Sequence, residues 1–113
     1  MKWLRIFAKA NPDDWDGNWD IIIDVVVDDA GLVCPKICFF GVCGGFESSN
    51  AMPFLLRPDG SIEFGCLVGP EEIQLSKTNL HQRSVKLDEY FTHFHDDDEV
   101  VMQIVKITDL LEN

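Results

Sequence analysis

The sequence has few basic residues: nine Lys and Arg stand against twenty Asp and Glu in 113 residues, a formal net charge of −11 at pH 7. A surface this acidic repels phosphate backbones and anionic lipid headgroups, so the composition argues against direct binding to nucleic acid or to a membrane. It favours a partner that is itself a basic protein.

Long apolar segments are missing as well. The longest run without a charged residue covers positions 37–46 and holds three glycines, which is too short to span a bilayer. Near the start, Arg5 and Lys9 interrupt the apolar core that a signal peptide would need. We therefore expect a cytoplasmic protein, and we expect reduced thiols at its four cysteines, which are Cys34, Cys38, Cys43 and Cys66.

Motifs for cofactors and catalysis are also lacking. There is no G-x-G-x-x-G or Walker pattern, no Cys-x2-Cys pair typical of structural zinc, and no strand–elbow–helix signature around a nucleophile. The stretch from Asp14 to Gly17 resembles part of a calcium loop, but Pro12 stands where that loop needs a ligand. We predict no catalytic residue, no metal site and no cofactor. A small cysteine- or metal-dependent enzyme is the less favoured alternative.

What the sequence does contain is material for a core. Hydrophobic residues make up 46% of the chain and include eight Phe and three Trp, so a disordered chain is not expected. A chain of 113 residues suffices for one hydrophobic core but not for two. We predict a single domain over residues 1–113.

Short apolar runs that alternate with polar residues predict an all-β, mainly antiparallel fold with little helix. The clearest run covers residues 20–28, where Ile21, Ile23, Val25 and Val27 point to one side. The sequence Pro-Asp-Gly at 58–60 is the strongest hairpin signal. The predicted strands cover 2–8, 20–28, 35–42, 53–57, 61–68, 85–94 and 100–108, and residues 71–81 fit either a short helix or a strand. Seven to eight strands predict a β-sandwich or a partly open barrel.

The acidic residues are concentrated in two windows. Positions 10–35 hold seven Asp, positions 87–105 hold six Asp and Glu, and neither window contains Lys or Arg. In the first window Asp20, Asp24 and Asp28 recur on one strand face, with ~13–14 Å between successive carboxylates at ~3.4 Å per residue. Such charge can simply keep a β-rich protein soluble, as in a structural subunit, and blunt strand-edge pairing. It can also form a docking surface for a cationic protein.

Large apolar side chains among the acids favour the docking surface, because interfaces combine aromatic anchors with a charged rim. Trp15 and Trp19 flank the first acidic loop, although either ring could instead cover the end of the core. His93 and His95 lie two apart on a predicted strand and share one side, where neighbouring carboxylates would raise their pKa values. The predicted partner-binding residues are Asp13, Asp14, Trp15, Asp16, Trp19, Asp20 and Asp24, with His93, His95, Asp96, Asp97, Asp98 and Glu99 as a second patch.

A small, very acidic, β-rich chain without catalytic motifs resembles the bacterial immunity proteins that neutralise toxin domains of contact-dependent growth inhibition and related polymorphic toxin systems. The resemblance implies a specific protein inhibitor, often of a nuclease toxin such as an RNase, that is made in the same cell to prevent self-intoxication. A nuclease cleft must attract phosphates and is therefore basic, so the carboxylates of an inhibitor can occupy it in place of phosphates. The alternative is a nucleic-acid mimic or regulator that sequesters a basic nucleic-acid-binding protein.

Overall fold

Eight antiparallel strands account for most of the chain that the computed structural model describes, namely residues 1–10, 20–44, 52–64, 76–95 and 98–111. The all-β, antiparallel prediction is confirmed, and the regular helical structure of the described residues is one 3₁₀ turn at Leu80–Gln82. The strands are β1 Lys2–Ala10, β2 Asp20–Val27, β3 Phe39–Gly44, β4 Met52–Leu56, β5 Ser61–Phe64, β6 Ser76–Thr78, β7 Tyr90–His95 and β8 Asp98–Asp109.

Each strand pairs with the next one along the chain, and β1 also pairs with β8. This last pairing closes the sheet, so the fold is a closed up-and-down barrel rather than a sandwich or a partly open barrel. Closure removes the two free edges that an open sheet would leave. The β1–β8 register shifts between Phe7 and Ala8, which leaves Val105 as an extra residue on β8. Such a bulge bends its strand and assists closure.

The core follows the alternation of each strand. Leu4, Ile6 and Ala8 on β1 are buried inside the barrel, and the alternate residues of β2 are buried with them. An eight-stranded barrel is just wide enough for side chains to fill it. The internal gap bordered by Phe54 and Phe91 has room for about one water molecule, so the described part of the interior is a packed core.

The predicted hairpin at Pro58-Asp59-Gly60 joins β4 to β5. The Asp59 carboxylate accepts hydrogen bonds from the backbone N–H of Ser61 at 2.9 Å and from its hydroxyl at 2.6 Å, and these bonds lower the pKa of Asp59. Gly60 has a φ of +89°, a conformation that favours glycine. The turn therefore forms because Asp59 supplies hydrogen bonds and Gly60 adopts the left-handed conformation, as the sequence Pro-Asp-Gly predicts.

Two strands begin four or five residues later than predicted, and the ambiguous segment is assigned in part. β3 begins at Phe39 rather than at 35, because the backbone N–H of Cys34 donates to the carbonyl of Val26 and the following residues turn. β7 begins at Tyr90 rather than at 85, because Asp88 has a φ of +68°, which interrupts an extended strand. In the ambiguous segment 71–81, the described part forms β6 and the start of the 3₁₀ turn.

Gly41 on β3 lets the ring of Phe54 on β4 and the carbonyl of Ile22 on β2 lie close to its own backbone. A Cβ at this position would lie 2.5 Å from Cζ of Phe54 and 2.7 Å from the backbone oxygen of Ile22. The ring of Phe54 is buried in the core, and the carbonyl of Ile22 belongs to the sheet, so neither can move away freely. Glycine is needed here because of close approach rather than backbone angle.

We predict that Gly41→Ala lowers the free energy of unfolding by ~1–3 kcal/mol, since an extra methyl group must displace a packed core. The matched control is Val42→Ala on the outward side of the same strand, with an expected loss below ~1 kcal/mol. Urea denaturation monitored by fluorescence measures both variants. If Gly41→Ala is as stable as the wild type, then Phe54 or β2 can move to accommodate the methyl group without a loss of unfolding free energy.

Candidate functional site: the acidic end of the barrel

The up-and-down order of the strands assigns every connection to one of two ends. Since neighbouring strands are antiparallel, the strand ends joined by residues 11–19, 45–51, 65–75 and 96–97 all lie at one end of the barrel. The strand ends joined by residues 28–38, 57–60 and 79–89 lie at the opposite end. We call the first the acidic end, for the reason that follows.

The two ends differ sharply in charge. By sequence, the connections at the acidic end hold eight acidic residues and no Lys or Arg; these are Asp13, Asp14, Asp16, Glu47, Glu71, Glu72, Asp96 and Asp97. The connections at the opposite end hold five acidic and four basic residues; these are Asp28, Asp29, Asp59, Asp88 and Glu89, with Lys36, Arg57, Arg83 and Lys86. By sequence, the connections that join the strand ends at the acidic end therefore sum to a formal charge of −8, and those at the opposite end sum to −1.

Acids of both acidic windows border this end, while Asp28, Asp29, Asp88 and Glu89 of the same windows lie at the opposite end. Asp20 begins β2, and the exposed Asp98 and Glu99 begin β8. Strand order thus brings Asp20 and Asp98, which are 78 positions apart in the sequence, to the same end of the barrel. The other predicted site residues of these windows, Asp13, Asp14, Trp15, Asp16, Trp19, Asp96 and Asp97, lie outside the described residues.

Two lysines lie on the strands next to the acidic end. Lys9 is the register partner of Asp20 on β2. The ammonium group of Lys77 lies 5.5 Å from the ring centroid of Phe94, which is the register partner of Glu99. Lys9 therefore faces Asp20 across the β1–β2 pair, and Phe94 of β7 lies between Lys77 and Glu99.

The predicted stripe of Asp20, Asp24 and Asp28 is not one continuous acidic surface. Asp24 accepts two hydrogen bonds from the Arg5 guanidinium on β1, at 2.8 and 2.9 Å, and this pairing raises the pKa of Arg5. Asp28 accepts the backbone N–H groups of Ala30 and Leu32, each at 2.9 Å. Of the three aspartates, Asp20 is the one that lies at the acidic end.

His93 occupies a different place from the one expected. Its side chain faces the barrel interior, since His93 is 1% exposed and is the register partner of Thr78 and Val100. A buried ring cannot contact a partner at the rim. His95 ends β7 at the acidic end, and its side chain lies outside the described residues.

Other chemistry was sought in the same parts of the chain. Within the described ranges, no three His, Cys, Asp or Glu side chains converge as a metal site would require. Cys34 is half-buried and Cys38 exposed, and both carry free thiols. The described residues also include no helix with the length and apolar character needed to cross a membrane.

Comparison of the whole chain with protein-family models, with curated proteins and with solved structures finds no match. The site is therefore interpreted from its own geometry and charge.

His81, whose pKa departs from the ordinary value of histidine, lies at the opposite end. Burial lowers the pKa of His81, and the nearby Asp59 offsets this only in part. Both ring nitrogens of His81 are shielded from solvent, and neither finds a hydrogen-bond partner among the described residues. The folded state therefore favours the neutral imidazole.

Because the pKa of His81 is lower in the folded than in the unfolded chain, its contribution to stability is present above ~6.5 and is lost as the pH falls through the folded pKa. We predict that His81→Gln reduces the slope of unfolding free energy against pH below ~6.5. Urea titrations of both proteins at several pH values between about 7 and 5 measure the two slopes. A change in the absolute stability of the variant does not affect this comparison of slopes. Equal slopes for the two proteins would show that His81 does not contribute to the pH dependence.

Proposed function

We propose that this chain is an acidic protein inhibitor of the immunity type, which binds a basic partner end-on through the acidic end of the barrel. The expected target is the cationic active-site cleft of a toxin domain, most readily a nuclease such as an RNase. The observation that carries the proposal is the charge polarity of the barrel: acid-rich connections without Lys or Arg at one end, and mixed charge at the other.

Charge polarity matters for association because it orients the encounter. Electrostatic steering lifts association rates from the ~10⁵–10⁶ M⁻¹s⁻¹ of neutral pairs towards 10⁸ M⁻¹s⁻¹ or more at low salt. A negative potential confined to one end also turns that end toward the cationic cleft before contact. Fast, oriented capture suits an inhibitor that must stop a few toxin molecules before they cut.

Affinity, in contrast with rate, comes from a few buried anchors. The connection at 11–19 supplies two tryptophans, Trp15 and Trp19, next to its three aspartates. Tryptophan is the residue type most enriched among interface hot spots. By sequence, the connection at 11–19 thus supplies both carboxylates for steering and aromatic rings for contact.

The first test concerns the partner and the effect of salt. We expect the reading frame beside this one to encode a large secreted protein that ends in a basic domain, and that domain is the partner to assay. Its nuclease activity should fall to background with one equivalent of this chain. Association should slow markedly between ~50 and ~500 mM NaCl, since the screening length is ~10 Å at 0.1 M. Stopped-flow fluorescence measures the rate.

A pair of charge-matched variants locates the surface. Asp13→Asn with Asp14→Asn should slow association roughly tenfold at ~50 mM NaCl. Asp29→Asn with Asp88→Asn removes the same charge from the opposite end and should leave the rate nearly unchanged; asparagine also suits the left-handed backbone at Asp88. Equal slowing by both pairs would contradict end-on docking. Binding of a host nucleic-acid-binding protein, with none to the neighbouring domain, would contradict the toxin target.

A second prediction concerns the anchor. Trp15→Ala should weaken binding of the same domain by about 2 kcal/mol, or roughly 30-fold in Kd, while leaving the fold intact. Trp3→Ala is the matched control, because Trp3 lies toward the opposite end of β1 and packs edge-on against Phe39. Isothermal titration calorimetry and circular dichroism measure affinity and fold. If Trp15→Ala binds with wild-type affinity, the ring of Trp15 is not part of the interface.

A further inference from the structure

A continuous apolar surface lies on the outside of the barrel, from one or two residues inside the acidic ends of β2, β3 and β4 to one residue inside the other ends of β3 and β4. Phe7, Ile22, Val42 and Pro53 are successive register partners across β1, β2, β3 and β4. The outward residues of the next row, Phe40 and Leu55, are also register partners. We call these six side chains the apolar wall.

The side chains of the apolar wall are largely accessible to solvent. Phe40 is 75% exposed, the largest value among the described aromatic residues. Val42 and Pro53 are also exposed, and Phe7, Ile22 and Leu55 are half-buried. Contiguous apolar patches of this kind mark interaction surfaces in soluble proteins, whereas single exposed apolar residues do not.

The charged groups around the apolar wall nearly neutralise one another. Arg5 and Asp24 form their ion pair on the β1–β2 side, and Arg57 and Glu63 form another beside β4 and β5. The ammonium group of Lys106 lies 5.1 Å from the ring centroid of Phe7. These neighbours carry three positive and two negative charges, in a chain whose net charge is −11.

We propose that the apolar wall is the interface of a symmetric dimer with a second copy of this chain. Two copies with this net charge repel each other over most approaches. The apolar wall allows close contact with little repulsion, because its own charges are already paired. A basic partner, in contrast, would gain no electrostatic attraction at a surface bordered by Arg5 and Lys106.

Two-fold symmetry fits the charge polarity of the barrel. With the axis perpendicular to the strands, the two barrels lie antiparallel, and each acidic end adjoins the opposite end of its neighbour. Phe40 lies four residues from Gly44, where β3 reaches the acidic end, so an axis at Phe40 separates the two acidic ends by about 27 Å. This distance is more than two screening lengths at 0.1 M salt. Both acidic ends remain free in such a dimer, and the proposal therefore does not depend on the proposed function.

The size of the apolar wall limits the strength of the dimer. Six side chains on a convex barrel cover less than the ~800 Å² per partner of a standard interface. We therefore expect a weak dimer, with a dissociation constant on the order of tens of micromolar. Raising the salt should tighten it by screening the residual repulsion, which is the reverse of the salt effect on capture of a basic partner.

Sedimentation equilibrium of the full chain between about 5 and 300 μM tests the proposal. The wild type should form a dimer, and Phe40→Ser should weaken it ~30-fold or more, because the substitution acts twice in a symmetric interface. Val42→Arg should do the same by placing like charges near the axis. Leu87→Ser is the matched control, since Leu87 is 56% exposed but lies in the connection at the opposite end.

A wild-type chain that stays monomeric at about 300 μM would overturn the proposal, and so would a dimer that Phe40→Ser and Val42→Arg leave intact. Loss of binding to the basic toxin domain in Phe40→Ser, with no dimer at any concentration, would assign the apolar wall to that partner instead. Circular dichroism of each variant checks the fold, and these exposed positions allow the substitutions without a change in the core.

Discussion

The pairing of β1 with β8 is the contact on which the arrangement of the charges depends. It closes the sheet, and together with the consecutive strand order it places alternate connections at opposite ends. Without closure, two acidic segments near the two ends of the sequence would have no reason to meet. Strand order places the strand ends joined by residues 11–19 and by residues 96–97 at the same end of the barrel, and closure also makes β1 and β8 neighbours there.

Two acids on the strands are paired with arginines, whereas the connections that join the strand ends at the acidic end hold acids without Lys or Arg by sequence. On the strands, Asp24 and Glu63 find arginines on neighbouring strands or turns, so their charges are compensated within the molecule. In the connections of the acidic end there is no basic residue to do so. Concentrated like charge lowers the stability of the compact state. We therefore expect a surface that lowers stability in this way to have a function, and docking of a basic partner is the function proposed.

The sequence predicted the local structure better than the relations between strands. Alternation in β1 and β2 and the turn at Pro58-Asp59-Gly60 were predicted because they depend on neighbours along the chain. The pairing of Asp24 with Arg5 was not, since cross-strand partners depend on register. His93 was placed on the wrong side of its strand because a spacing of two fixes a shared side but not which side is buried. Whether the two acidic windows share an end required the strand order.

The competing explanation of the acidity is that it only keeps a β-rich protein soluble, and the position of the charges argues against this. A solubilising charge is needed most beside exposed apolar surface, because that is where copies associate. In this barrel the apolar wall around Phe40 is bordered by compensated ion pairs and a lysine. By sequence, the connections that join the strand ends at the acidic end hold eight acids, two tryptophans and no Lys or Arg. Acids that served solubility alone would be expected around the apolar wall instead.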